Sequence, residues 1–188
     1  MRRLIYSMTV SLDGFITDPD GEIDWSAPDD ELHQFHNDQV RELGVHLCGR
    51  RLYETMVYWE TAEEDPALSA VAREFAAIWK PLEKIVFSNT LTVVEGNNTR
   101  LATDSLLDEV RALKQEPGKD LAVGGAGLAS SLIEQGLIDD FRLFVSPLVL
   151  GGGTPYFPAS APRTNLRLVE TRTFGSRVVY LRYLTDSA

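Results

Sequence analysis

The chain has little cysteine and no long hydrophobic run. Its 188 residues include a single cysteine, Cys48, which excludes an intrachain disulfide and a cysteine-based metal cluster. No apolar stretch approaches the roughly 20 residues that a membrane-spanning helix needs. The N-terminal segment reaches Asp13 before any long apolar stretch, which is unlike a signal peptide. These absences predict a cytoplasmic protein with no membrane partner.

Positive charge is also scarce. The net charge is −10, and residues 18–65 alone hold fourteen acidic and three basic side chains. A chain of this sign repels a phosphate backbone, so we expect no nucleic-acid partner. A solvated surface is the ordinary explanation of the acidic block.

What the chain does have is an alternation of β-favouring apolar runs with segments of helical spacing. The predicted strands are 4–10, 45–48, 84–87, 91–94, 121–123, 140–149, 165–173 and 177–184, and the predicted helices are 29–43, a short one ending at Met56, 66–79, 104–115 and one opening at 124–127. Gly44 is expected to end the first helix, Pro66 to lie in the first turn of the third, and Asp104 to cap the fourth. This order predicts one α/β domain over residues 1–188, with a mostly parallel sheet and a C-terminal antiparallel hairpin.

The most informative segment is the glycine-rich run that follows the predicted strand 121–123. Gly124, Gly125, Ala126 and Gly127 stand where a strand turns into a helix. Bare backbone N–H groups at the positive end of a helix suit a phosphate or pyrophosphate, and glycine lets the ligand approach the backbone. The spacing differs from the G-x-G-x-x-G fingerprint, so the motif alone is weak.

Three other segments with small or polar residues also follow predicted strands: 11–16, 49–51 and 88–89. Because ligands bind beyond the carboxyl ends of parallel strands, we expect these segments to meet. Arg50 and Arg51 can donate paired N–H groups to a phosphate, or form surface ion pairs with the acidic block. Ser88 can donate to a phosphate oxygen, or only turn the chain together with Asn89.

His33 and His36 are three residues apart on the first predicted helix. Their spacing brings them near one face, but no third ligand matches, so we predict no metal site. Cys48 is expected to be a small core residue rather than a nucleophile.

Five segments, in chain order, resemble the dihydrofolate reductase superfamily and in particular the reductase domain of the bacterial riboflavin-biosynthesis deaminase–reductase. They are Ser11-Leu12-Asp13-Gly14, Gly49-Arg50-Arg51-Leu52-Tyr53-Glu54, Val86-Phe87-Ser88-Asn89-Thr90-Leu91, Val123-Gly124-Gly125-Ala126, and 145–157 with its Pro-x-x-x-Gly-Gly-Gly-Thr-Pro-x-Phe element. The likeness covers nearly the whole chain. Because the 188 residues contain no zinc signature of the deaminase half, we expect a stand-alone member of the reductase type.

The resemblance implies a central sheet of about eight strands with helices on both faces, NADPH as hydride donor, and a homodimer. Carried over by position, Gly124, Gly125 and Ala126 would meet the pyrophosphate, and Gly127 and Gly49 would also belong to the cofactor site. Arg50, Arg51 and Ser88 would lie near the adenosine ribose and its 2′-phosphate, and Thr9, Asp13 and Ile16 would border the nicotinamide.

The resemblance leaves the substrate open. The implied activity is reduction of a small heterocycle, either ribosylaminopyrimidine-like or pterin-like. The alternatives are a true dihydrofolate reductase and a non-enzymatic module that binds a nucleotide or another small molecule. A carboxylate at Asp29 or Asp30, or a bound water, is expected to supply the proton. Leu52 departs from the threonine that dihydrofolate reductases usually carry there.

Overall fold

An eight-stranded sheet forms the centre of the molecule. The computed structural model describes residues 1–186. The strands are β1 (Leu4–Ser11), β2 (Leu43–Gly49), β3 (Glu83–Phe87), β4 (Thr99–Leu101), β5 (Asp120–Gly124), β6 (Asp140–Ser146), β7 (Leu166–Thr173) and β8 (Val179–Thr185). Their order across the sheet is β4-β3-β2-β5-β1-β6-β8-β7. All neighbours pair in parallel except β6 with β8 and β8 with β7. The predicted mostly parallel sheet with an antiparallel C-terminal hairpin is confirmed.

Five α-helices cover the two faces of this sheet. They are α1 (Asp30–Arg41), α2 (Arg50–Met56), α3 (Ala70–Trp79), α4 (Leu106–Gln115) and α5 (Ala126–Glu134). Strand residues alternate between the two faces, so Leu47 packs in the cluster that contains α4 and α5, whereas the adjacent Cys48 packs against α3. Cys48 is therefore a buried core residue, as predicted.

Three helices begin at an oxygen-bearing side chain that accepts a backbone N–H. Asp29 caps α1 through the N–H of Leu32, Ser69 caps α3, and Ser105 caps α4. Each cap satisfies one of the N–H groups that have no partner within the helix. The sequence-based choice of Asp104 for α4 was wrong by one residue, because Ser105 is the residue whose extended backbone and hydroxyl meet the first turn.

Other predicted boundaries also need correction. The strand expected at 91–94 is absent from the described chain, and β4 lies instead at Thr99–Leu101, where it pairs with β3. Gly44 lies inside β2 rather than ending α1, because the helix already ends at Arg41. Pro66 lies outside α3. These errors arise because short edge strands and chain turns depend on tertiary pairing more than on local composition.

The hairpin β7–β8 presents unequal faces. Val178 and Tyr180 are buried against Leu32 of α1, so this face belongs to the core. Seven of the eight residues of the edge strand β7 are exposed.

Among residues 1–186, no helix is long and apolar enough to cross a membrane.

Candidate cofactor and substrate site

The strand-end segments singled out in the sequence do meet along one edge of the sheet. Parallel pairing places Gly49 opposite Phe87, Cys48 opposite Gly124, and Ser11 opposite Ser146. The segments that follow β1, β2, β3 and β5 therefore leave the sheet on the same side. This convergence confirms the expectation from the sequence, and it is the position at which open α/β sheets bind ligands.

The glycine turn before α5 leaves its backbone open. Gly125 is the N-cap residue of α5 and has φ +94°, a conformation that side chains disfavour. A Cβ built on Gly125 or on Gly127 would have no neighbouring atom within 4 Å. The first N–H groups of α5 have no acceptor within the helix, so they face accessible space at the positive end of the helix dipole.

Gly124 has a different reason to be glycine. A Cβ there would lie 2.1 Å from Leu52 Cδ2 and 2.9 Å from His46 Cε1. Leu52 of α2 thus packs on the bare backbone at the end of β5. Leu52 therefore makes an apolar contact between α2 and the glycine turn. The resemblance leads one to expect a threonine hydroxyl at this position.

Arg50 and Ser88 belong to one polar cluster. Arg50 Nη1 donates to Thr90 Oγ1 at 2.8 Å, and Thr90 Oγ1 lies 3.3 Å from Ser88 Oγ. Arg50 Nε also donates to Glu54 at 2.7 Å, and this is an ion pair with a residue of the acidic block. Arg51 is exposed and has no ion-pair partner within the described chain. Arg50 thus forms the predicted surface ion pair, whereas the exposed Arg51 keeps its guanidinium available to a phosphate.

A groove, called here the Ser88 groove, opens beside this cluster. Its volume is about 360 Å³, and it is lined by the ends of β3 and β4, the start of α4, and Leu128 of α5. Gly49 adjoins the same groove, because a Cβ on Gly49 would lie 3.6 Å from Leu128 Cγ. The Ser88 groove is therefore next to the glycine turn.

A second space of about 350 Å³, called here the central cavity, lies between α1 and the sheet. Thr9 and Ile16, both predicted to border a ligand, line it, as do Ala122 and Val123 just before the glycine turn. β1 pairs with β5 only as far as Tyr6 but with β6 as far as Ser11. Beyond Tyr6, the β5-facing side of β1 therefore has no strand partner and is open to a ligand.

The predicted catalytic carboxylates do not line the central cavity. Asp29 is occupied in capping α1, Asp30 is exposed, and neither lines the cavity. Glu31 accepts hydrogen bonds from Arg172 and from the backbone N–H of Gly175, at 2.9 and 3.0 Å. Acidic residues are favoured at helix N-termini for capping and for the helix dipole, and that role accounts for Asp29. Asp29 and Asp30 are thus outside the set of residues that line the cavity.

Asp13 does not line the central cavity either. Its carboxylate accepts the N–H groups of Leu150 and Gly151, at 3.1 and 2.7 Å. A hydrogen bond from Ser11 and these backbone N–H groups lower the pKa of Asp13 to about 2. Asp13 is thus an ionised clamp between the loop after β1 and the loop after β6.

The glycine-rich element after β6 has a structural role that its sequence did not reveal. Gly153 faces the backbone of Thr17, Ile16 N donates to Thr154 O at 2.8 Å, and Tyr156 N donates to Gly14 O at 2.9 Å. We call these contacts, together with the Asp13 clamp, the loop clasp. The loop clasp holds Ile16 at the wall of the central cavity.

Histidines line the cavity in neutral form. Burial lowers the pKa of His36 to about 4, assisted by His33, and burial together with Lys84 lowers that of His46 to about 4. His33 contacts the rings of Trp59 and Phe75, and His36 lies on Phe144. No group of three potential metal ligands occurs in residues 1–186.

Sequence reasoning missed the polar wall formed by Gln39 and Arg142. Arg142 Nη1 donates to Gln39 Oε1 at 2.9 Å, and Asp140 accepts from Arg142 Nη2 at 2.8 Å. The sequence did contain an indication of this wall. Asp140, Arg142 and Phe144 are two residues apart along β6 and therefore lie on one face of the strand. Two charged residues in an otherwise apolar strand indicate a buried polar site.

Comparison with known proteins identifies the family. The family model for the RibD C-terminal domain matches residues 2–180. The chain belongs to this family. The uncharacterized protein YyaP of Bacillus subtilis (strain 168) is 37% identical over 183 residues, covering 97% of this chain and 94% of YyaP.

Solved structures agree on the fold. A Shewanella sp. PV-4 protein provisionally named for riboflavin biosynthesis has a TM-score of 0.75 at 20% identity, with 99% of each chain covered. The Thermotoga maritima diaminohydroxyphosphoribosylaminopyrimidine deaminase/5-amino-6-(5-phosphoribosylamino)uracil reductase has a TM-score of 0.67 at 18% identity, over 98% of this chain and 56% of its own. Dihydrofolate reductase from Enterococcus faecalis, complexed with NADP(H), has a TM-score of 0.61 at 16% identity, with 98% and 96% covered. The dihydrofolate reductase-like fold inferred from the sequence is confirmed.

Proposed function

We propose that this protein is an NADPH-dependent reductase of a small heterocyclic substrate, of the type found in riboflavin biosynthesis. One observation carries the proposal: the open glycine turn lies between the Ser88 groove and the central cavity. A dinucleotide has the same three parts, with a pyrophosphate between an adenosine end and a nicotinamide end.

The residues present fit such a cofactor. Gly125, Ala126 and Gly127 would hold the pyrophosphate, because the backbone there is open and lies at the positive end of α5. Arg50, Arg51 and Ser88 would hold the 2′-phosphate, with Gly49 beside the ribose. Thr9 and Ile16 would border the nicotinamide. Asp13 would not contact it directly but would hold Ile16 in position through the loop clasp. NADPH would supply the hydride.

The chain's own contribution would be to position the substrate and to exclude water from the central cavity. In the portion of the chain that the structure describes, no Asp or Glu lines that cavity. We therefore propose that a bound water, rather than Asp29 or Asp30, supplies the proton. The absence of a lining carboxylate also favours a ribosylaminopyrimidine-like substrate over a pterin, whose amino-substituted edge would pair with a carboxylate.

Titration of the protein with NADPH and with NADH tests the cofactor. We expect tighter binding of NADPH, and no binding of either at millimolar concentration would overturn the proposal. Oxidation of NADPH is then followed with ribosylaminopyrimidines and with dihydrofolate. Robust turnover of dihydrofolate would establish a true dihydrofolate reductase, whereas cofactor binding without turnover of any heterocycle would indicate a binding module.

The homodimer and the cytoplasmic location remain predictions. Val178 and Tyr180 are buried in the protomer, so a two-fold pairing would have to use the other face or the exposed edge of β7. Sedimentation at two protein concentrations would measure the oligomeric state.

A further inference from the structure

The central cavity contains one formally charged side chain within the described part of the protein, that of Arg142. Arg142 is only 9% exposed. The remaining polar lining consists of hydroxyl groups, Gln39 and three histidines. The charged group that a ligand in the cavity meets is therefore the Arg142 guanidinium, whose carboxylate partner Asp140 lies outside the lining.

A fixed network holds Arg142 in place. Asp140 is fully buried and accepts from Arg142 Nε and Nη2, and Gln39 accepts from Arg142 Nη1. Gln39 is itself oriented by a 3.0 Å hydrogen bond from its Nε2 to Tyr180 Oη. The guanidinium plane is thus set before any ligand arrives, which lowers the entropic cost of binding.

The network does not use all the donors of Arg142. A guanidinium has five N–H bonds, and Asp140 and Gln39 account for three of them. The other two have no acceptor among residues 1–186. Buried donors are normally satisfied, so an oxygen acceptor from a ligand or from water is expected there.

Asp140 has a second cationic partner that stays outside the cavity. Arg182 Nη2 lies 2.8 Å from Asp140 Oδ2, at the same carboxylate as Arg142. Asp140 therefore remains paired when Arg142 is replaced, which limits the structural damage of such a substitution.

We propose that Arg142 is a specificity-determining residue that donates its two remaining N–H groups to an electron-rich, oxygen-bearing edge of the substrate. The inference rests on the proposed function, because the substrate is placed in the central cavity. A ring with carbonyl or carboxylate oxygens is complementary to a guanidinium, whereas a protonated amino-substituted ring is repelled by it.

The test measures binding of two rings of similar size to the full chain by calorimetry. The probes are orotate, a pyrimidinedione that carries a carboxylate, and 2,4-diaminopyrimidine. We expect the wild type to prefer orotate, and Arg142→Met to weaken orotate binding by about tenfold or more, as for loss of a charge-assisted pair. Arg142→Lys keeps the charge but loses the paired donors, so an intermediate loss is expected.

Arg182→Met is the matched control. It removes the other cationic partner of Asp140 without touching the cavity, so orotate affinity should change by less than about twofold. The inference is overturned if the wild type fails to bind orotate, if 2,4-diaminopyrimidine binds more tightly, or if both arginine-to-methionine variants lose orotate equally.

NADPH affinity, measured on the same proteins, separates the two proposals. It should be unchanged in all variants. Wild-type protein that binds no NADPH would contradict the proposed function, independently of Arg142. A loss of NADPH binding confined to the Arg142 variants would place Arg142 in the cofactor site and overturn the inference.

Discussion

Gly153 and Thr17 approach each other backbone to backbone. A Cβ built on Gly153 would lie 1.9 Å from the carbonyl oxygen of Thr17, and Gly153 has φ +123°. Both facts restrict the position to glycine. The most specific element of the sequence is therefore explained by the close packing of two loops, one of which places Ile16 in the wall of the central cavity.

Replacement of this glycine should disrupt the loop clasp. We expect Gly153→Ala to lower the free energy of unfolding by about 3 kcal/mol or more, because backbone strain and a steric clash add together. Urea denaturation measures the loss. Gly152→Ala is the control: its Cβ would meet only Pro19 Cγ at 3.6 Å, an ordinary contact. Equal losses in the two variants would show that the approach to Thr17 is unimportant.

Replacement of Gly127 should change stability and cofactor binding in opposite directions. It lies in α5, and a Cβ at this position would have no neighbouring atom within 4 Å. Gly127→Ala should therefore stabilise the protein by about 0.5–1 kcal/mol through helix propensity. The added methyl group should nevertheless weaken NADPH binding by about fivefold or more if the pyrophosphate contacts this turn. Thermal unfolding and titration of the same variant give both values. Unchanged NADPH affinity would place the pyrophosphate elsewhere.

Arg51 provides the test of cofactor choice. It is exposed and lacks an ion-pair partner in residues 1–186, so removing its charge should leave the fold intact. We expect Arg51→Gln to weaken NADPH binding by about tenfold and to leave NADH binding nearly unchanged, since only NADPH carries the 2′-phosphate. Arg111→Gln, which makes the same charge change on α4, should alter neither affinity. A parallel loss for NADH would instead indicate a general electrostatic effect.

His36 should make the protein sensitive to acid. Its pKa is lowered to about 4 in the folded state, whereas an unfolded chain takes up this proton near pH 6.5. Between these values the unfolded state binds more protons, so stability falls as the pH decreases. We expect His36→Gln to reduce the stability lost between pH 7 and pH 4 by about 2–3 kcal/mol.

Denaturation of both proteins across this pH range measures the difference. His33→Gln is the comparison, because His33 is more exposed than His36 and its pKa is lowered less by burial. An unchanged pH dependence in His36→Gln would show that His36 is not buried as a neutral side chain.

Local patterns in the sequence were sufficient for most of the fold. Seven strands and the five helices were located from hydrophobic spacing, with errors of a few residues at their ends. β4 was misplaced because a three-residue edge strand has almost no local signal. The C-terminal hairpin was recognised because Phe174, Gly175 and Ser176 separate two β-favouring runs.

The site was predictable to a more limited extent. The common edge of Gly124–Gly127, Arg50, Arg51, Ser88, Thr9 and Ile16 was predictable because these residues follow or border strands, and the carboxyl ends of parallel strands share one edge. Their role in cofactor binding stays a prediction. Asp29 and Asp30 were predicted as proton donors because an acidic residue early in a helix has the same local pattern whether it caps the helix or faces a cavity, and only the structure shows that Asp29 is the cap of α1. Arg142 was missed because its contact with Gln39, which forms the polar wall of the cavity, joins segments far apart in the chain.

The order of residues by itself determined the alternation of strands and helices, and with it the edge at which the loops after β1, β2, β3 and β5 gather. That follows from periodicity, which is a local property. Only the tertiary structure decided that Asp13 clamps a loop, that Gly153 faces Thr17, and that Arg142 is the charged group of the cavity. Each of these depends on packing between segments far apart in the chain, where the distances between atoms determine which charges are paired and which donors remain available.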